Sequence, residues 1–106
     1  MKRIVHGRLS LRFLTTEEGG RRGAVDAPAY GYRPTAEIDG KFLDIRIVPA
    51  IRMELGPTYE VEVAFLDIVN ARPHLAVGRE LTILEGGKVG TATILELADG
   101  DHQTDG

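Results

Sequence analysis

Apolar residues in this chain recur at every second position, and that period leaves little choice of secondary structure. Val5, Leu9, Leu11 and Phe13 fall on one side of the first run, with His6, Arg8, Ser10 and Arg12 on the other. Leu43, Ile45 and Ile47 alternate with Asp44 and Arg46, and Tyr59, Val61, Val63 and Phe65 alternate with Glu60, Glu62 and Ala64. Leu81 and Ile83 repeat the pattern more weakly, while residues 89–97 are apolar on both sides. Successive side chains of an extended strand point to opposite faces, so period 2 places one face in a core and the other in water. The shared register predicts a core of Val5, Leu9, Leu11, Phe13, Leu43, Ile45, Ile47, Val61, Val63, Phe65, Leu81 and Ile83.

Turn chemistry separates the strands. Asp39-Gly40 stands between two alternating runs, the strongest short signal for a hairpin whose two central residues need positive φ. Leu55-Gly56-Pro57-Thr58 stops one run before Tyr59 begins the next, a strand expected to reach Ile68. Asn70-Ala71-Arg72-Pro73-His74 breaks the chain again, and Gly86-Gly87 closes a second hairpin. About six strands joined by short turns, with one longer loop over residues 15–31, predict an all-β, antiparallel, closed β-barrel, because closure removes exposed strand edges. Residues 1–98 are expected to form this single domain, and 99–106, polar and acidic, a disordered tail.

A chain of 106 residues buries roughly 65% of its unfolded surface, enough for one small core. There are no cysteines to brace it, which suits a reducing, cytoplasmic setting. The opening MKRIVHGRLSLRF is basic and too interrupted for a signal-peptide core, and no run approaches the ~18 apolar residues of a membrane span. The net charge of −3 is unevenly spread. Lys2, Arg3, Arg8, Arg12, Arg21, Arg22 and Arg33 outnumber Glu17, Glu18 and Asp26 in the first third, and acids dominate the remainder.

Catalytic constellations are weak. His6, His74 and His102 lack ligand spacing, so no metal site is expected. No Ser/His/Asp signature or cysteine nucleophile occurs, and the adjacent acids Glu17-Glu18 read as solvated turn residues. Gly86-Gly87-Lys88 lacks the glycine spacing and the following Ser/Thr of a phosphate loop, and it leads into a strand rather than a helix. The chain is therefore expected to be no enzyme, with no cofactor and no nucleotide.

Residues 14–34 read LTTEEGGRRGAVDAPAYGYRP and residues 78–90 read GRELTILEGGKVG. Two glycine-rich, charged turns about sixty residues apart, the first leading into Tyr32-Arg33-Pro34, resemble the C-terminal β-barrel (third domain) of bacterial elongation factor Tu. The resemblance runs from about Arg8 to Leu97 and implies a stand-alone version of that barrel without the family's GTPase domain. In the family the matching turns touch the T stem of aminoacyl-tRNA. By position, the resemblance implies RNA contacts at Arg21, Arg22, Thr35, Gly86, Gly87 and Lys88. Arg22 stands where the family usually has histidine, Thr35 where glutamine is common, and Leu84 where arginine is found. One residue is missing before Val89, Leu55-Gly56-Pro57 replaces a Pro-Gly-Asp turn, and the loop after Arg22 lacks a Thr-Pro-Phe run.

Guanidinium groups match phosphate bidentately and keep their charge, so Gly19-Gly20-Arg21-Arg22-Gly23 suits the shallow minor groove of duplex RNA. The expected role is a non-catalytic binding module, with three readings open. The loops contact structured RNA such as tRNA-like stems; or the glycines simply make tight turns; or the chain binds a protein or itself. The last reading points to Val89, Ala92 and Ile94, since a strand apolar on both faces suits burial on both.

Overall fold

The computed structural model describes residues 4–66 and 72–98. The expected end of the third long strand at Ile68, the break at Asn70-Ala71 and the tail 99–106 lie outside the described residues.

Among the described residues eight strands follow in chain order: β1 (Val5–Phe13), β2 (Val25–Asp26), β3 (Thr35–Ile38), β4 (Lys41–Ile47), β5 (Arg52–Met53), β6 (Thr58–Phe65), β7 (Glu80–Leu84) and β8 (Lys88–Ala98), with a 3-10 turn at Arg72–His74. Six of them form a closed barrel in the order β1-β6-β4-β3-β7-β8, all neighbours antiparallel. β1 pairs with β6 on one side and β8 on the other, so the seam closes through the first strand. All twelve residues of the predicted core are buried, joined by Ala36, Ile38, Val89, Ala92 and Ile94 from β3 and β8.

Asp39 and Gly40 both adopt positive φ (52° and 76°), and Ile38 pairs with Lys41 across them. This two-residue turn matches the twist of the flanking strands. Leu84 pairs with Lys88 across the second hairpin, leaving Glu85, Gly86 and Gly87 as its loop.

The two-sided apolarity of residues 89–97 has a different cause from the one expected. Ile83 pairs with Gly90 and Leu84 with Lys88, so Val89 is an extra residue; Leu9 pairs with Ile94 and Arg8 with Glu96, so Leu95 is another. Each such bulge shifts the side-chain phase by one position. Val89, Ala92 and Ile94 therefore all turn inward and are buried by the barrel itself, and Leu97 packs against the same core. The expected partner-facing flank at Val89, Ala92 and Ile94 is not found there: these residues are core.

The longer loop 15–31 also holds more structure than its sequence predicts. Its strand β2 pairs with β5, Val25 opposite Met53 and Asp26 opposite Arg52. Val25 and Met53 are buried with the barrel core, so this small sheet stoppers one end of the barrel. The pairings place the C-terminal end of β1, the start of β3, the end of β4, the start of β6 and the β7–β8 hairpin at that same end. At the opposite end Asp39 accepts hydrogen bonds from Arg79 and His74, tying the β3–β4 turn to the segment before β7.

Candidate nucleic-acid interface

The stoppered end gathers the residues singled out in the sequence. Phe13 ends β1, and the chain then forms a tight turn in which Gly20 donates to the Thr15 carbonyl (3.0 Å). Within it Thr15 and Glu18 bond reciprocally: the Thr15 amide donates to Glu18 Oε1 (2.9 Å), and the Glu18 amide donates to Thr15 Oγ1 (3.2 Å). Arg12 reaches up from β1, donating through Nη2 to Glu18 (2.9 Å) and through Nε to the Gly56 carbonyl (2.7 Å). The Thr15 amide and then the Arg12 guanidinium hold the Glu18 carboxyl below its ordinary range. Glu18 is thus a turn-forming carboxylate, accepting hydrogen bonds from Thr15 within the turn and from Arg12 of β1.

Beyond that turn the chain crosses toward the β7–β8 hairpin. Thr16 Oγ1 donates to the Arg21 carbonyl (2.7 Å), and Arg21 Nε donates to the Gly23 carbonyl (3.2 Å). Arg21 Nη1 also donates to Oε1 of Glu85, while the Tyr32 hydroxyl donates to Oε2 of the same carboxylate. One carboxylate on the second hairpin therefore holds both the outgoing and the returning limb of the first loop. The Tyr32 ring lies against Phe13 at a centroid distance of 5.9 Å, tilted by 60°. Such a pair is worth about 0.5–1.5 kcal/mol beyond its buried area. Just before it, Gly31 (φ 95°) sits so close to β4 that a Cβ there would meet the Arg46 side chain at 2.7 Å.

Arg21, Arg22, Gly86, Gly87 and Lys88 accordingly share one end of the barrel, drawn together by the Arg21–Glu85 pair. Thr35 opens β3 opposite Leu84, one strand across from that hairpin, and is half-buried. Two further arginines at this end are paired with acids: Arg12 with Glu18, and Arg52 with Asp26 and Glu54. Arg52 is held even more firmly protonated, first by its hydrogen bond to Glu54. Among the described residues Arg22, Arg33 and Lys88 have no acidic partner, and all three are exposed. Glu85 and Tyr32, which organise the site, were visible in the sequence only as parts of the Glu-Gly-Gly and Tyr-Arg-Pro stretches, and nothing in their spacing joined them.

The fold and this end together define a small all-β barrel with two charged turns stapled across one mouth. No protein-family model matches the chain, and no curated protein matches it.

Proposed function

We propose that this chain is a non-catalytic binding module of the translation-factor third-domain type, and that its stoppered end contacts the phosphates of a structured RNA stem. The supporting observation is the meeting of two glycine-rich turns, distant in sequence, at one barrel end with Arg22, Arg33 and Lys88 free to face an anion. Glycine at 86 and 87 leaves open space above the hairpin, where a sugar–phosphate backbone can approach closely. The overall charge of −3 sets affinity low, and the contacts of Arg22, Arg33 and Lys88 with phosphates make it salt-dependent.

Fluorescence anisotropy with a labelled RNA hairpin, at several salt concentrations, tests the reading. Binding should weaken linearly with the logarithm of salt, and Arg22→Ala and Lys88→Ala should each lower the slope by about one. Absence of binding by the wild-type chain at low salt would remove the proposal. Tyr30 and Ile51 stand exposed at the same end and favour a second reading, a protein partner. Capture from lysate that survives nuclease treatment and is lost on Tyr30→Ser would support that alternative.

A further inference from the structure

We infer that Glu85 is an internal counter-anion that occupies Arg21 in place of a phosphate, so that Arg21 positions the loop while Arg22 and Lys88 meet the ligand. This rests on the phosphate-binding reading above and sharpens it. A guanidinium grips phosphate through two parallel N–H groups on one edge, either Nε with the nearer Nη or the two Nη together. In Arg21, Nε is already given to the Gly23 carbonyl and Nη1 to Glu85. Each of the two gripping edges therefore includes a nitrogen already engaged, so a phosphate at Arg21 would have to share the guanidinium with Glu85 or with the Gly23 carbonyl. The pair is also sheltered, the two side chains retaining only 29% and 28% of their exposure. Tyr32 holds the other oxygen of Glu85, fixing the carboxylate over Arg21 rather than letting it swing into water. Arg22, next in the chain, points outward from the same turn with no acidic partner among the described residues, and Lys88 lies three positions beyond Glu85.

Glu85→Gln removes the charge while keeping an oxygen for Tyr32, and so frees Arg21. With an RNA hairpin, E85Q should bind on the order of fivefold more tightly and steepen the salt slope by about one charge. Arg21→Ala alone should leave the wild-type slope unchanged, yet abolish the increment in the E85Q background. Tyr32→Phe, which releases the second oxygen of Glu85 but keeps its charge, should steepen the slope by less than E85Q does, and melting curves of each variant report whether the loop still docks. A second probe works without RNA: inorganic pyrophosphate, titrated while the Arg21 Nε–H resonance is followed by NMR. That resonance should stay put in the wild-type chain and move in E85Q. If it moves equally in both, or if Arg21→Ala alone lowers the RNA slope by one, Glu85 does not shield Arg21. If no variant binds RNA but pyrophosphate reaches Arg21 only in E85Q, the shielding stands and the RNA reading falls.

Discussion

Ile94→Ala tests whether the bulges in β8 set the side-chain phase as described. Ile94 is fully buried, and its amide and carbonyl bond Arg79 (2.9 Å) and Gly78 (2.7 Å), so the backbone there is held in place. Truncation removes three buried carbons, about 2.4 kcal/mol at ~0.8 kcal/mol each. The walls around it are β-strands of a closed barrel and collapse little, so a cavity term raises the cost to about 3–4 kcal/mol. Against a total of ~5–15 kcal/mol for a domain of this size, that is a large share. Urea unfolding followed by circular dichroism should show a lowered midpoint with an unchanged slope, and a melting temperature reduced by about 12–25 °C. Leu95→Ala, one residue on, is the control: Leu95 is the bulged residue and is absent from the packed core, so its loss should cost under ~1 kcal/mol. If Leu95→Ala proves the damaging change and Ile94→Ala the mild one, the register of β8 is wrong by one residue.

A Cβ added at Gly7 would lie 2.3 Å from the Glu96 carbonyl oxygen, so Gly7→Ala should destabilise by about 1–3 kcal/mol in the same urea assay. Gly23, with open space around it and no positive φ, should gain up to ~1 kcal/mol when changed to Ala. Asp39 is held below its ordinary pKa, first by the hydrogen bond from Arg79 and then by His74, and Glu18 by the Thr15 amide and Arg12. Depressed folded values mean that the unfolded chain takes up protons first. The contribution is therefore complete above the ordinary carboxylate range of about 4 and is lost as pH falls through the lower folded values. Urea midpoints measured from neutral to acid pH should decline there, and Asp39→Asn should flatten part of the decline; an unchanged profile in D39N would discount the Arg79 contact.

Much of the barrel was legible because burial on one face of a strand is written directly into alternate positions. Leu9, Ile45 and Val63 announce their side in that way, and Asp39-Gly40 announces a turn that few other pairs tolerate. Residues 89–97 misled because a bulge inserts one residue into one strand only, and the partner that defines the insertion, Leu9 or Ile83, lies far away in sequence. The β2–β5 pair was hidden for a related reason: two residues per strand are too few to show any period, and their pairing depends on the barrel mouth that they cover. At the candidate site the sequence pointed to cations and flexible turns but could not reveal how they are neutralised. Ion pairing across 64 residues, as between Arg21 and Glu85, depends on the closed topology rather than on any local signal.

Closure through β1 and β8 also governs how the chain must acquire its shape during synthesis. During synthesis β1 finds one partner only when β6 has been made, and its other edge waits longer still, for β8. Until then β1 and β7 each expose a row of unsatisfied backbone groups, the state in which strand-edge association between nascent chains is most dangerous. Loop closure of this span is entropically slow, which places the final step among the late, non-local events of folding. A chain cut before Lys88 keeps most of the hydrophobic residues but has no way to become a barrel.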